Sequence, residues 1–274
     1  MVFMSSCLDM LSRLERWFRQ FSKVLIMFSG GVDSSTLLTI AIRVLGRDNV
    51  IALTIKSPLQ LPWDLDDAIS IANDLGVKHL IIDGSFILSS ENFVGNSELR
   101  CYYCKKLMFS KVLGIADGLG VDVVVDGTNY DDVQLDFRPG FKAVKELEPR
   151  VRSPYVELGI SKECIRTIAK SLGLRIHDKP PNSCLATRIP YGVRITIERL
   201  QKVRDGELIL KELGFRVVRL RDHGDIARIE VSVDELHKII QSSTRSTIIS
   251  KLKGLGYKYV TIDLEGYRRS GSNR

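Results

Sequence analysis

The residues best suited to chemistry form a short polar run near the start of the chain, Ser29-Gly30-Gly31-Val32-Asp33-Ser34-Ser35. Glycines let a backbone approach a ligand closely, and main-chain N–H groups at a helix start attract anions. The hydroxyl groups of Ser29, Ser34 and Ser35 add further donors. A carboxylate such as that of Asp33 tolerates a bound phosphate when a cation bridges the two, as Mg²⁺ does. The run therefore predicts a phosphate-binding loop with a magnesium ligand.

Such a loop needs a strand before it and a helix after it. Residues 24–28 are apolar, like a buried strand, and residues 36–45 have the length and apolar spacing of a helix. The same alternation continues with strands predicted at 50–55, 79–83 and 121–126 and helices at 65–75 and 102–117. Alternating strands and helices predict a parallel sheet covered on both faces, with its ligand at the carboxyl ends of the strands. Thr54 and Asp126-Gly127-Thr128-Asn129 would lie at that same edge.

A second, smaller domain is predicted after the break at Lys179-Pro180-Pro181-Asn182. The residues after this break have the pattern helix, strand, strand, helix and strand, which is typical of a small α+β domain. We therefore expect an α/β fold in which a parallel-sheet domain, residues 1–181, is followed by an α+β domain, residues 182–274.

The five cysteines are spaced in a way that points to metal chemistry. Cys101 and Cys104 form a C-x-x-C pair at a predicted helix start, and Cys184 lies at the domain junction. Three thiolates would hold zinc only with a fourth ligand, whereas they suit an iron–sulfur cubane with one iron left open. A structural pair of thiols and half a zinc site both remain alternatives. Cys7 and Cys164 are expected to be unconnected core or surface thiols, since a long chain of this kind does not suggest a disulfide framework.

A group of arginines in the second domain is a candidate anion site. In Arg219-Leu220-Arg221 the two guanidinium groups share one face of a strand, because side chains alternate along it. Together with Arg188 they could form a multidentate clamp, and Glu207 on the preceding helix is the nearest expected carboxylate. A solvated strand face explains the alternation equally well.

Composition narrows the function classes. The chain has 274 residues, 44% of them hydrophobic, and a formal charge of +7. No apolar run reaches the ~18–20 residues of a membrane span, and the N-terminus lacks signal-peptide features, so we expect a cytoplasmic protein without membrane contact. The positive charge fits either a small anionic substrate or RNA.

The polar run resembles the PP-loop, SGG-x-DS, of ATP pyrophosphatases, which transfer AMP to an acceptor oxygen. Over nearly its whole length the chain resembles the ATP-dependent sacrificial sulfur transferase family (the LarE kind), whose fold is adenine nucleotide alpha hydrolase-like. The residues that carry this resemblance are Ser29–Ser35, Asp126–Asn129, Phe137–Gly140, Cys184–Gly192, His223–Glu230 and Tyr259–Leu264.

The resemblance implies a role in making the nickel-pincer nucleotide cofactor of lactate racemase-type enzymes. ATP would adenylate a carboxylate of pyridinium-3,5-dicarboxylate mononucleotide, and a sulfur nucleophile would then displace AMP. The cofactors implied are ATP and Mg²⁺, and a homo-oligomer, a hexamer built from trimers, is implied as well. The residues expected to bind ATP are Ser29, Gly30, Gly31, Asp33, Ser34, Ser35, Thr54, Asp126 and Gly127, with Asp33 also holding Mg²⁺. Cys184 matches the sulfur-donor cysteine, and the substrate-binding residues are expected to be Arg188, Glu207, Arg219 and Arg221.

The cysteines decide between two branches of this family. In the sacrificial form the enzyme gives up the sulfur of its own cysteine, which here would be Cys184. Another branch uses three cysteines to hold a 4Fe–4S cluster that carries sulfide from an external donor, and Cys101, Cys104 and Cys184 match it. We favour this branch.

Three other functions fit parts of the sequence less well. A PP-loop tRNA thiolase would need a basic or aromatic RNA platform, which the sequence does not show, so no nucleic-acid partner is expected. A nucleotide sensor would not need the three thiols. An amidating ligase would need an ammonia source that does not fit in this length.

Overall fold

The computed structural model describes residues 2–134, 139–180 and 183–268. The predicted boundary at 179–182 and the motif at 137–140 lie partly outside these residues. The strands are β1 (Val24–Met27), β2 (Val50–Lys56), β3 (Lys78–Asp83), β4 (Val123–Val125), β5 (Val151–Arg152), β6 (Val218–His223), β7 (Ile226–Val231) and β8 (Tyr259–Ile262). The helices are α1 (Val2–Phe18), α2 (Val32–Leu45), α3 (Pro62–Leu75), α4 (Glu91–Val94), α5 (Arg100–Gly118), α6 (Tyr130–Gln134), α7 (Pro139–Lys145), α8 (Pro154–Glu157), α9 (Lys162–Ser171), α10 (Ile197–Glu212), α11 (Leu236–Ile239) and α12 (Ser242–Gly254).

The described residues form two compact units, and the first carries a parallel sheet. This unit consists of Met1–Ser89 and Glu98–Asn182. Its strands have the order β3-β2-β1-β4-β5, and each neighbouring pair runs parallel. The order reverses between β1 and β4, and ligands of such sheets bind at this switch point. The predicted α/β fold with a parallel sheet is confirmed.

The core of the first unit fixes the helices that surround the loop. The side chains of β1 and β2 are almost completely buried, as expected of strands covered on both faces. Helix α2 packs against α1 and α9, and α1 also packs against α9. Ser161 caps α9, because its hydroxyl accepts a hydrogen bond from the N–H of Cys164.

The second unit consists of Ser90–Ser97 and Ser183–Arg274. Its sheet has the order β6-β7-β8, with β6 antiparallel and β8 parallel to β7. The side chain of Asn96 ties the short early segment to the later one, since its amide donates to the carbonyl oxygens of Pro190 and Val193 at 2.8 and 2.7 Å. The sequence gives no sign that residues 90–97 belong here, because eight residues are too few to show a packing pattern.

The predicted independence of Cys7 and Cys164 is wrong, because the two form a disulfide between α1 and α9. Their Cα atoms lie 5.3 Å apart, and both side chains are buried. The pairing arises from the packing of two amphipathic helices, whose paired cysteines are 157 residues apart in the chain. The local sequence around either cysteine therefore could not predict the disulfide. Cys101, Cys104 and Cys184 remain thiols.

Candidate functional site

The polar run forms a tight turn between β1 and α2. Gly30 adopts a positive φ of 68°, and Gly31 is the N-cap of α2. A side chain at Gly30 would lie 2.8 Å from the backbone nitrogen of Ala68, so α3 packs directly on the loop and leaves room for glycine alone. Loop and helix start therefore form the backbone cradle that a phosphate chain needs.

The serines of this loop, which we call the phosphate loop (Ser29–Ser35), bond mainly to one another. The hydroxyl oxygens of Ser29 and Ser34 lie 3.2 Å apart, and the hydroxyl of Ser34 also accepts from the N–H of Ser29 at 3.2 Å. The hydroxyl of Ser35 is buried and has no hydrogen-bond partner within the described structure. A buried hydroxyl with no partner is costly and indicates that a bound group completes the site.

Asp33 pairs with a lysine that no sequence motif indicates. The ammonium of Lys162, the first residue of α9, lies 2.6 and 2.5 Å from its two carboxylate oxygens. Burial raises the pKa of Asp33, and the charge of Lys162 opposes that effect. The Tyr155 hydroxyl donates to the main-chain oxygen of Asp33 at 3.0 Å, which fixes the first turn of α2.

Asp126 lies at the end of β4, beside β1, and its carboxylate is the centre of a second polar group. Lys105 donates to both of its oxygens at 3.0 and 2.9 Å, and the hydroxyl of Thr128 bonds to it closely. Ser153 donates at 3.2 Å. Burial would raise the pKa of Asp126, but the charge of Lys105 and these hydrogen bonds outweigh it, so the pKa falls below its ordinary value and the group stays ionised.

Gly127 brings this second group next to the phosphate loop. A side chain there would lie 3.6 Å from the backbone nitrogen of Ser34, so the end of β4 and the start of α2 are neighbours.

Thr54 bonds to the chain that leads into the phosphate loop. Its hydroxyl donates to the carbonyl of Phe28 at 2.7 Å and lies 2.8 Å from Nε2 of His79. Thr54 thus holds the chain that enters the loop, and contact with ATP stays a prediction.

The C-x-x-C pair belongs to the same neighbourhood in the first unit. Cys101 and Cys104 lie near the start of α5, one exposed and the other half-buried. Lys105, the next residue, is the one that reaches Asp126. Helix α5 therefore carries its two thiols next to the residue that connects it with the strand edge.

In the second unit, Cys184 starts a short turn that is held at several points. The N–H and hydroxyl of Thr187 donate to the main-chain oxygen of Cys184 at 2.9 and 2.7 Å. The guanidinium of Arg188 donates to the hydroxyl of Ser183 at 2.7 Å and to its carbonyl at 3.0 Å. The thiol of Cys184 is exposed, and hydrogen bonds from Thr187 and Arg188 hold the backbone that carries it.

Arg188 and Glu207 form a fully buried ion pair. Their charged groups meet at 2.8 and 3.2 Å, and 0% and 1% of the two side chains is exposed. A second role of the Glu207 carboxylate is to accept the N–H of Leu220 at 3.0 Å. In this structure the two charges face each other, and Arg188 also bonds to the main chain of the Cys184 turn at Ser183 and Cys184. Substrate binding by Arg188 and Glu207 stays a prediction.

Arg219 and Arg221 on β6 join the same cluster. Arg221 binds both oxygens of Glu230 at 2.9 Å and donates to the carbonyl of Thr187 at 2.8 Å. Arg219 lies 5.0 Å from the ring of Tyr267, and burial together with the charge of Arg188 lowers its pKa. The two side chains are buried rather than solvated. The cluster therefore holds guanidinium groups at low dielectric, where charge-assisted hydrogen bonds are strong.

Three residues of these clusters, Lys105, Lys162 and Glu230, were not predicted from the sequence. Lys105 directly follows the C-x-x-C pair and Lys162 directly follows a helix cap, but single lysines at such places are common and carry no motif. Glu230 alternates with Arg228 on a strand, which is equally unremarkable.

The donor groups of the site differ in how well they fit the metals that the sequence suggests. Among residues 2–134, 139–180 and 183–268, no three His, Cys, Asp or Glu side chains are grouped to hold a metal ion. Mg²⁺ does not require such a group, since one carboxylate and substrate phosphates suffice, and the Asp33 carboxylate fits that requirement. The thiols of Cys101, Cys104 and Cys184 have the donor chemistry for iron, with Cys184 in the other unit.

Within the described residues, every helix is too short or too polar to span a membrane.

Comparisons with known proteins agree with this geometry. The NAD synthase family matches residues 10–97, which include the phosphate loop. A protein of Synechocystis sp. without an assigned function is 39% identical over 264 residues, 96% of this chain and 97% of that protein. The pyridinium-3,5-bisthiocarboxylic acid mononucleotide synthase of Lactiplantibacillus plantarum is 35% identical over 257 residues, 93% of this chain and 90% of that protein. The tRNA-specific 2-thiouridylase MnmA of Rickettsia africae is 27% identical over 204 residues, 62% of this chain and 55% of that protein.

Proposed function

We propose that this protein converts a carboxylate of pyridinium-3,5-dicarboxylate mononucleotide into a thiocarboxylate, because the chain belongs to the LarE-type family of ATP-using sulfur transferases. The observation that carries the proposal is the phosphate loop beside Asp126, in a chain similar along nearly its full length to the synthase of L. plantarum. The product would serve the nickel-pincer nucleotide cofactor of lactate racemase-type enzymes.

The first step is adenylation. A carboxylate is a poor electrophile, and transfer of AMP to it supplies a good leaving group. The carboxylate oxygen attacks the α-phosphorus of ATP, and pyrophosphate leaves. The main-chain N–H groups of the phosphate loop bind the departing pyrophosphate, and Asp33 would hold Mg²⁺, which would neutralise part of the charge of the pyrophosphate. Asp126 and Gly127, beside the phosphate loop, would contact the rest of the nucleotide.

The second step is sulfur transfer. Sulfide attacks the acyl carbon, the bond to AMP breaks, and one proton is released. Arg219 and Arg221 hold the anionic groups of the substrate, and the buried pair of Arg188 and Glu207 keeps the Cys184 turn in place. Holding substrate and sulfur together lets transfer compete with hydrolysis.

We further propose that Cys101, Cys104 and Cys184 hold a 4Fe–4S cluster whose open iron carries sulfide from an external donor. All three remain thiols, and Cys101 and Cys184 are exposed. The alternative is consumption of the Cys184 sulfur itself. Anaerobically purified protein should contain about four irons and four sulfides per chain and absorb near ~400 nm. Colourless protein that binds zinc instead would remove the cluster from the proposal.

We also propose that the enzyme works in the cytoplasm as a homo-oligomer, a hexamer by family resemblance. Large apolar side chains are exposed in the second unit, and such groups often mark interfaces. The most exposed are Val233, Ile240, Tyr259 and Leu264. Sedimentation velocity should show a species larger than one chain. A monomer at working concentrations would contradict this part.

The substrate is tested by the dependence of AMP release on the acceptor. Purified protein is incubated with Mg-ATP and sulfide, and with either pyridinium-3,5-dicarboxylate mononucleotide or unmodified tRNA. AMP and pyrophosphate should appear in equal amounts when the mononucleotide is the acceptor, and they should not appear when tRNA is the acceptor. AMP release that requires tRNA would favour the tRNA thiolase, the alternative to which the partial similarity with the thiouridylase points.

A further inference from the structure

Lys162 stands at the place where the proposed function needs a metal ion. Its ammonium lies 2.6 and 2.5 Å from the two oxygens of Asp33, so it bridges the carboxylate at the position where a cation bound to both oxygens would lie. Only 14% of the Lys162 side chain and 23% of the Asp33 side chain are exposed. The carboxylate in the phosphate loop is therefore neutralised by the protein itself.

The position of Lys162 is not explained by the stability of its own helix. It is the first residue of α9, where the helix dipole disfavours a positive charge. Its backbone N–H donates to Asp131 at 2.7 Å, and Ser161 caps the helix. The backbone is thus fixed by other groups, and an ammonium at this end is favourable only while it faces an anion.

Two features of the phosphate loop bear on the role of Lys162. The Ser35 hydroxyl, two residues along the chain from Asp33, is buried and finds no partner in the described structure. Asp33 offers a single carboxylate, which is the usual protein share of a magnesium site completed by phosphates. Lysine has a flexible four-carbon stem, so its ammonium can leave Asp33 while the helix stays in place.

We propose that Lys162 is a stand-in cation, which neutralises Asp33 in the free protein and moves to the phosphate chain when Mg-ATP arrives. This rests on the proposed function, since it takes the loop to be an ATP site. Mg²⁺ brings two charges to Asp33 and displaces the single charge of the ammonium. The ammonium then gains the phosphate oxygens, so neither Asp33 nor Lys162 is left without a partner in either state.

The first test measures metal binding without nucleotide. Lys162→Met removes the charge at similar length, and Lys170→Met on the exposed side of the same helix is the matched control. Mn²⁺ is titrated and its free concentration followed by electron paramagnetic resonance. Lys162→Met should bind Mn²⁺ at least about threefold more tightly than wild type, because the ammonium no longer competes. The gain should vanish in Lys162→Met with Asp33→Asn, and Lys170→Met should behave like wild type. A smaller gain or none overturns the proposal.

A second test uses the wild-type protein and so does not depend on how the variant folds. A crystal structure with Mg²⁺ and α,β-methylene-ATP should place the ammonium of Lys162 beyond about 4 Å from Asp33 and about 3 Å from a phosphate oxygen. An ammonium that stays on Asp33 beside bound nucleotide overturns the stand-in role alone. Failure of wild type to bind Mg-ATP at all, measured by calorimetry, overturns the proposed function instead.

Discussion

At Asp126 a buried carboxylate stays ionised because Lys105 and Thr128 surround it. Its pKa in the folded protein is lower than the ordinary 3.8, since these partners outweigh the effect of burial. The folded state therefore gains stability from this group above the ordinary pKa and loses it as the pH falls through the lower, folded pKa.

The pH dependence of unfolding tests this assignment. The difference in unfolding free energy between wild type and Asp126→Asn should be largest near neutral pH and shrink as the pH falls below about 4. Urea titrations at several pH values measure it. A difference that stays constant down to about pH 3 would show that Asp126 is not held ionised by the fold.

Arg188 and Glu207 allow a second prediction at the level of single residues. Removing one partner of a buried ion pair leaves the other uncompensated and costs about 3–5 kcal/mol. Glu207→Leu and Arg188→Met should each cost about this much, and the double variant should cost clearly less than their sum. Additive losses in urea unfolding would mean that the two groups do not act as a pair.

The same pair provides a readout at Cys184. Because Arg188 bonds to Ser183 and to the main chain at Cys184, its loss should loosen the turn that carries the thiol. The rate of Cys184 alkylation by iodoacetamide should therefore change in Arg188→Met but return toward wild type in Arg188→Lys. An unchanged rate in Arg188→Met would contradict the positioning role.

At the scale of elements, the phosphate loop depends on its contact with α3. Alanine at Gly30 meets the main chain of Ala68 and also has to adopt a positive φ. Gly120→Ala is a matched control, because its φ is 62° and nothing lies within 4 Å of the added carbon. Gly30→Ala should be less stable than Gly120→Ala by about 1–3 kcal/mol and should lose ATP affinity. Equal stabilities would contradict the close packing of α3 on the loop.

The disulfide between α1 and α9 gives a second prediction for the elements. Linking residues 157 apart restricts the unfolded chain strongly, and such links contribute about 2–5 kcal/mol. Dithiothreitol should lower the stability of wild type by about this amount but should not affect the variant Cys7→Ala with Cys164→Ala. Thermal unfolding with and without reductant tests this, and an equal response of both proteins would contradict the link.

The elements also show how far sequence alone carries. Hydrophobic period predicted β1–β4 and the longer helices between them, because long regular segments have a clear pattern. Strand β5 has two residues and could not be recognised in this way. The sequence pattern predicts a strand at 215–220, whereas β6 is found at Val218–His223, because apolar and charged residues alternate on both sides of residue 220.

The residues of the candidate site also differ in whether the sequence could predict them. Residues within the phosphate loop could be named because their types and order form a motif. Lys162 could not, because its role follows from the packing of α9 against α2, which brings residues 129 positions apart together. The pairing of Cys7 with Cys164 was missed for the same reason, and the common cluster of Cys101, Cys104 and Cys184 stays a prediction.

At the scale of the whole molecule, adenylation in one unit and sulfur held by thiols are proposed to serve one reaction. The two possible sulfur sources predict different amounts of product. With an external sulfide source and a cluster, each chain should form product many times. If the sulfur of Cys184 is consumed, product should stop at one per chain and Cys184 should become dehydroalanine.

The most direct test of this coupling is to count thiocarboxylate formed per chain by mass spectrometry. Anaerobic protein is supplied with Mg-ATP, sulfide and pyridinium-3,5-dicarboxylate mononucleotide, and AMP is measured in the same samples. We predict one AMP for each thiocarboxylate and more than one thiocarboxylate for each chain, with Cys101→Ala failing to sustain turnover. If protein that binds ATP forms no thiocarboxylate, that result would contradict the proposed coupling of adenylation to sulfur transfer.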